Sequence, residues 1–135
     1  IVSLSEDEFF ASSGVRSSVE AARNALSDKI QYLTEFLGGE YEIQGAYPAW
    51  EYRKESPLRD KMVEVYETMY GQKPEVVAIH AGLECGLFYK KIDGLDCVSL
   101  GPDMKDIHTS EEVLDIASTE RVWKYLVKVL EELKD

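Results

Sequence analysis

Positive charge is scarce in this chain of 135 residues: 15 Lys and Arg stand against 26 Asp and Glu, and the formal net charge is -11. Phosphate backbones and anionic membrane surfaces both need positive charge on their protein partner. The chain also lacks any apolar run near the ~20 residues that cross a bilayer. We therefore expect neither nucleic acid nor a membrane as a partner.

Cysteine and histidine are equally rare, with two of each. Cys85 and Cys97 do not form a C-x-x-C pair, and we interpret them as reduced thiols of a cytoplasmic protein. No basic amino-terminal segment precedes an apolar stretch, so no signal peptide is expected in this piece. The chain begins at Ile1 without an initiator methionine, as expected of a piece of a longer protein.

The composition that remains, 44% hydrophobic and 30% charged, is typical of a globular domain. Apolar residues at steps of three and four predict amphipathic helices. One should begin at a capping box formed by Ser17 and Glu20, another at Ser56-Pro57, and the last at Ser118. A shorter helix is expected from Glu84 to Tyr89.

Extended segments are expected between these helices. Residues 1–4 and 9–15 should form a hairpin, and part of 41–52 can be a further strand. The apolar runs 76–79 and 97–100 are typical of strands that are covered on both faces. The predicted fold class is α/β, with an α+β first part followed by a partly parallel sheet and flanking helices.

Each histidine directly or closely follows one of the predicted buried strands. Ligands of α/β sheets bind at the carboxyl ends of strands, so we expect the loops of His80 and His108 to be neighbours. His108 is a candidate metal ligand because zinc takes nitrogen and oxygen ligands from separate parts of a chain. The alternative is a structural histidine in a helical turn capped by Thr109 and Glu112. The carboxylates close to His108 in sequence are Asp103, Asp106, Glu111 and Glu112.

Two further residues suit a ligand-binding role. Glu84 stands between Gly82 and Gly86, and glycines allow a backbone either to approach a ligand closely or to turn sharply. Arg16 follows the small and apolar run 9–15, and a guanidinium can pair with a carboxylate through two bonds. A surface role is the alternative for Arg16. The sequence contains no P-loop, no G-x-S-x-G elbow and no H-E-x-x-H motif.

Taken together, several blocks resemble the carboxy-terminal part of aminoacyl-histidine dipeptidases, within the superfamily of co-catalytic zinc metallopeptidases. These are Xaa-His dipeptidases that cleave substrates such as carnosine. The most specific block is His-Ala-Gly-Leu-Glu-Cys-Gly-Leu-Phe at 80–88, and a segment at 15–19 resembles the lid domain of the same family. The other blocks are Gly94-Leu95-Asp96, Gly101-Pro102, and His108 with Glu112.

The resemblance implies a function and a domain division. Residues 1–47 would end a lid that mediates homodimerisation, and residues 48–135 would be the last segment of a catalytic domain. His108 would be a zinc ligand, and Glu84, His80 and Arg16 would be substrate-side residues for a dipeptide. The family's other zinc ligands and its general-base glutamate would lie upstream of Ile1, so the isolated chain is expected to bind zinc weakly and to be inactive.

Two alternatives remain open from the sequence. One is a related zinc aminoacylase or tripeptidase that acts on a different substrate. The other is a non-catalytic interaction module, in which the hairpin and the first helix form a protein interface and His108 is structural.

Overall fold

The structure is a computed structural model that describes residues 1–80 and 83–134. Its helices and strands confirm a mixed α/β class. In chain order they are β1 (Val2–Leu4), β2 (Phe9–Ala11), α1 (Glu20–Phe36), α2 (Pro57–Tyr70), α3 (Glu84–Lys91), β3 (Met104–Lys105), β4 (Val113–Leu114) and α4 (Ile116–Glu132). Within the described ranges, no helix is both long and apolar enough to cross a membrane.

The chain forms two compact units. The first contains the described residues within Ile1–Tyr52 and Ala78–Lys91, and the second contains those within Arg53–Val77 and Ile92–Asp135. The division at residue 47 into a lid segment and a catalytic segment stays a prediction. Cys85 and Cys97 are both thiols, as the sequence indicates.

The amino-terminal hairpin of the first unit is confirmed, although its second strand ends at Ala11 and does not reach residue 15. Strands β1 and β2 pair antiparallel with Leu4 opposite Phe9. In the polar turn between them, the N–H of Ser5 donates to the carbonyl of Glu8 at 2.8 Å, and the N–H of Glu8 donates back to the Ser5 hydroxyl at 3.0 Å. Both ends of the turn are therefore closed by hydrogen bonds, as polar turn residues allow.

Helix α1 is present, but the predicted capping box is wrong. The Ser17 hydroxyl accepts the N–H of Val19 at 3.0 Å, and the helix begins only at Glu20. The N–H of Glu20 donates instead to the carboxylate of Glu51, also at 3.0 Å. A carboxylate distant in sequence thus satisfies a donor at the start of this helix.

The predicted buried strands are not formed. Residues 76–79 and 97–100 are in no hydrogen-bonded strand, and neither are residues 41–52. Among the described residues, the sheets are two antiparallel pairs, β1 with β2 and β3 with β4. Val77 is 62% exposed. A parallel strand needs a hydrogen-bonded neighbour reached by a crossover, and these segments have none within the described chain, so the partly parallel sheet is a wrong expectation there.

The core of the second unit lies between α2 and α4. Met62 and Val65 of α2 are buried against Tyr125 and Val129 of α4. The Tyr125 hydroxyl donates to the Met62 carbonyl at 2.7 Å, so the one polar side-chain group among these four core residues has a partner. The Tyr66 ring meets the Tyr125 ring edge-on at 5.4 Å between centroids, an arrangement that aromatic pairs favour.

The boundaries of α2 agree with the sequence prediction. Ser56 is the N-cap, and its hydroxyl accepts the N–H of Arg59 at 3.1 Å. Pro57 is the first helical residue, where its missing N–H costs nothing. Gly71 ends the helix at φ 71°, a left-handed conformation that glycine adopts without a steric penalty.

The predicted cap of α4 is wrong by three residues. Asp115 is the N-cap, and its carboxylate accepts the N–H of Ser118 at 2.7 Å. Ser118 lies in the first turn, where its buried hydroxyl donates to the Asp115 carbonyl and accepts the N–H of Asp103 at 2.8 Å. The serine therefore joins the start of α4 to the segment that precedes β3.

Candidate functional site

His108 lies in the loop that joins β3 to β4. We call residues 106–112 the His108 loop. The pairing of Met104 with Leu114 and of Lys105 with Val113 closes its base. Because the N–H of Asp115 also donates to the carbonyl of Asp103 at 3.0 Å, the hairpin is fixed directly to the start of α4.

Hydrogen bonds inside the His108 loop define its course. The Thr109 hydroxyl donates to the Asp106 carbonyl at 2.6 Å and accepts the N–H of Glu111 at 3.1 Å. The Glu112 carboxylate accepts the backbone N–H of His108 at 3.0 Å. Thr109 and Glu112 thus organise successive turns and not the capped helical turn of the alternative interpretation.

The backbone of the loop is unusual at His108 itself. Asp106 has φ 52° and His108 has φ 67°, and within the described chain no other non-glycine residue has positive φ. Asp and His are among the non-glycine residues most often found in this left-handed region. The His108 side chain is exposed, and no hydrogen bond or ion pair of its imidazole occurs within residues 1–80 and 83–134. The ring is therefore accessible to a ligand.

The neighbouring acids do not complete a metal site. Zinc in proteins takes three or four ligands from the chain, and the described residues bring no three His, Cys, Asp or Glu side chains together. Asp103 pairs with Arg121 at 3.2 Å, and Glu112 is bonded to the loop backbone. Among residues 1–80 and 83–134, His108 therefore has too few partners for a complete metal site, and its role as a ligand stays a prediction.

The other predicted site residues lie in the first unit. Glu84 is the first residue of α3, His80 precedes that helix, and Arg16 follows β2. All three are exposed, and no described hydrogen bond or ion pair joins their side chains. Gly82 lies outside the described residues. That the loops of His80 and His108 are neighbours stays a prediction.

Gly86 has a structural role that the sequence left open. It is buried, and a Cβ atom at this position would lie 3.0 Å from the Pro48 carbonyl oxygen and 3.5 Å from the Cβ of Trp50. The glycine thus lets α3 lie against the backbone of residues 48–50. The group that approaches Gly86 closely is therefore the protein's own backbone and not a ligand.

Asp96 has a capping role that the sequence analysis missed. One carboxylate oxygen accepts the Ser56 hydroxyl at 2.7 Å, and the other accepts the N–H of Leu58 at 3.0 Å. The guanidinium of Arg53 donates to the carbonyls of Gly94 and Leu95, at 3.0 and 3.2 Å. Asp96 is therefore a second cap of α2. The resemblance of residues 94–96 was the one signal that pointed to this aspartate.

Comparison with known proteins confirms the resemblance. The chain is 33% identical over 119 residues to a protein of Escherichia coli strain K12 named cytosol non-specific dipeptidase. The aligned region covers 88% of this chain and 24% of that protein. The structure of this chain also matches the crystal structure of an aminoacylhistidine dipeptidase from Vibrio alginolyticus, with a TM-score of 0.73 and 34% identity. That match covers 88% of this chain and 24% of the other.

The chain therefore spans about a quarter of the length of these two relatives. This agrees with the expectation that the chain corresponds to one part of such a dipeptidase, its carboxy-terminal part. No protein-family model matches the chain.

Proposed function

We propose that this chain is part of a cytoplasmic, zinc-dependent dipeptidase that hydrolyses Xaa-His dipeptides such as carnosine. The observation that supports this most directly is the structural match to an aminoacylhistidine dipeptidase over 88% of the chain. The name of the Escherichia coli relative, a cytosol dipeptidase, agrees with the reaction type and with the compartment.

In this proposal His108 contributes one ligand of a site that holds two zinc ions. Bound zinc would activate a water molecule and polarise the scissile carbonyl. The contribution of the chain is to present an accessible imidazole on a loop whose backbone is hydrogen-bonded at Thr109 and Glu112. The remaining ligands and the general base would belong to a part of the protein outside residues 1–135.

Arg16, His80 and Glu84 are proposed to face the substrate. An arginine suits the carboxylate of a dipeptide because its guanidinium can donate two parallel hydrogen bonds. A glutamate suits the positively charged amino group of a dipeptide because its carboxylate is negatively charged and accepts hydrogen bonds. Their exposure leaves all three side chains accessible to a ligand.

Homodimerisation through residues 1–47 is part of the same proposal. The hairpin there exposes large apolar side chains, with Leu4 79% and Phe9 68% exposed. Exposed apolar patches of this kind are typical of protein interfaces. Sedimentation of the full-length protein would test this, and a monomer at micromolar concentration would contradict it.

A dipeptidase of broader specificity is the second candidate. The observation that favours it is the name of the Escherichia coli relative, a non-specific dipeptidase. The two candidates share a reaction and differ in whether the carboxy-terminal residue of the substrate must be histidine.

A substrate panel tests the proposal and separates these candidates. The full-length protein should be assayed on carnosine, other Xaa-His dipeptides, dipeptides without histidine, tripeptides and N-acyl amino acids. Hydrolysis confined to Xaa-His dipeptides is the expected result, and equal rates on dipeptides without histidine would favour the second candidate. Hydrolysis of only tripeptides or N-acyl amino acids would contradict both.

Replacement of His108 tests its role as a ligand. Asparagine is the suitable substitute because it tolerates positive φ better than alanine does. In the full-length protein, His108→Asn should lower the zinc content measured by metal analysis, whereas the control His80→Asn should not. An unchanged zinc content in His108→Asn would remove His108 from the ligand set.

A further inference from the structure

We propose that Glu112 is a positioning residue that sets the direction of the His108 imidazole through the backbone of the loop. This inference rests on the proposed function, in which His108 is a metal ligand. It adds a residue that touches neither metal nor substrate in the proposal, and it assigns that residue a testable effect on metal affinity.

The geometry starts from a single contact. The Glu112 carboxylate accepts the backbone N–H of His108 at 3.0 Å. The two residues are four apart along the chain, so this bond closes the outer part of the His108 loop. A hydrogen bond with an ionised acceptor is stronger than one between neutral groups, which suits the fixing of an exposed loop.

The conformation of His108 explains why such a bond matters. At φ 67° His108 lies in the left-handed region, which residues other than glycine seldom adopt. Such a conformation persists only where surrounding contacts determine it. The direction of the Cα–Cβ bond follows from the backbone dihedrals, so the carboxylate that holds the N–H also sets the side of the loop from which the ring projects.

Further hydrogen bonds hold the loop on both sides of His108. Thr109 is bonded to the Asp106 carbonyl through both its hydroxyl and its N–H, at 2.6 and 3.1 Å. Asp106 and Thr109 flank the histidine, and Glu112 bonds the histidine itself. Glu112 is thus the one carboxylate in the described chain that is hydrogen-bonded to the His108 backbone.

Glu111 offers a matched control. It has the same side chain, is also exposed and lies one residue away. Its backbone N–H is bonded to the Thr109 hydroxyl, and its carboxylate makes no hydrogen bond or ion pair in the part of the chain that the structure describes. Glu111→Ala and Glu112→Ala therefore remove the same charge, and only the second removes the bond to His108.

The experiment measures zinc affinity and backbone protection in the full-length protein. Zinc affinity is read by competition with a chromophoric chelator, and amide exchange is read by mass spectrometry on peptides that contain the His108 loop. Glu112→Ala should weaken zinc affinity about tenfold, within the range that lost supporting contacts of a metal ligand produce, and should speed exchange in the loop. Glu111→Ala should leave both quantities close to those of the parent, because its carboxylate supports no contact of the loop.

The conservative variant Glu112→Gln keeps an oxygen acceptor and should restore most of the affinity and the protection. The inference is overturned if Glu112→Ala binds zinc as tightly as Glu111→Ala, or if Glu112→Gln is as defective as Glu112→Ala. Failure of the proposed function is distinguishable, because in that case His108→Asn itself would leave zinc affinity unchanged.

Discussion

At the residue scale, Tyr125 is the side chain that ties α4 most directly to α2. Its hydroxyl donates to the Met62 carbonyl at 2.7 Å, and its ring meets that of Tyr66 edge-on. Burial raises the pKa of Tyr125 above its usual value, and the nearby Tyr66 and Tyr70 add to the shift. Because the folded protein disfavours ionisation of this phenol, the free energy of unfolding should fall as the pH becomes alkaline.

Replacing Tyr125 by phenylalanine tests this dependence. At neutral pH, Tyr125→Phe should lower the free energy of unfolding by about 0.5–1.5 kcal/mol, since it removes one hydrogen bond from a packed site. Because the folded pKa is raised, the contribution of this tyrosine to stability is present below the unfolded pKa and is lost as pH rises through the folded pKa. The variant should therefore lose less stability than the parent between pH 9 and pH 11 (the approximate range of phenol ionisation).

Urea unfolding at several pH values measures both effects. Tyr32→Phe is the matched control, because Tyr32 is 69% exposed on α1. Parallel alkaline losses in the parent and in Tyr125→Phe would show that this tyrosine does not carry the pH dependence.

At the element scale, the ends of a helix could be predicted where the residues that cap it lie next to it in the sequence. All signals for α2 are local, from Ser56 and Pro57 at its start to Gly71 at its end, and the prediction was confirmed. The start of α1 was missed because the acceptor for its first N–H is Glu51, 31 residues away. Local sequence cannot reveal such a partner.

The strands show the same limit. The apolar run 76–79 reports a preference for burial, while a strand also needs a neighbour in register, and no described strand pairs with it. Conversely, β3 and β4 have two residues each, too few to show a period of two in the sequence. Periodicity alone could therefore place His108 after an apolar run but not at the tip of a hairpin.

The double cap of α2 gives a prediction at this scale. Asp96→Ala removes the acceptor of both the Ser56 hydroxyl and the Leu58 N–H. Loss of a helix cap costs about 0.5–2 kcal/mol, and the buried Ser56 hydroxyl also loses the acceptor of its own hydrogen, so we expect the upper part of that range. Thermal unfolding followed by circular dichroism measures the loss.

Asp93 provides the comparison for Asp96. It lies in the exposed turn after α3, where removal of its carboxylate should leave unfolding almost unchanged. Equal destabilisation by Asp93→Ala and Asp96→Ala would mean that general charge, and not capping, accounts for the effect.

At the scale of the whole molecule, the dominant feature is exposed apolar surface. Phe36 on α1 is 85% exposed, and Ile116 and Trp123 on α4 are 83% and 66% exposed. Ile116, Trp123, Val127 and Leu130 recur at helical spacing on α4, apart from the face that packs on α2. Large exposed apolar stripes usually lie at contacts with other protein surface, which supports the proposal that the chain works as part of a longer protein.

The isolated 135-residue chain is therefore expected to fold at least partly, to bind zinc weakly and to hydrolyse no dipeptide. The packed core between α2 and α4 supports partial folding. Zinc needs several ligands for tight binding, and the described residues offer His108 without two further His, Cys, Asp or Glu side chains beside it. Circular dichroism, chelator competition and chromatography of carnosine digests measure the three properties, with the full-length protein as the positive control. His108→Asn in the isolated chain should abolish the residual affinity. Measurable carnosine hydrolysis by the purified chain would refute the expectation, because residues 1–135 would then have to contain the general base and the remaining ligands.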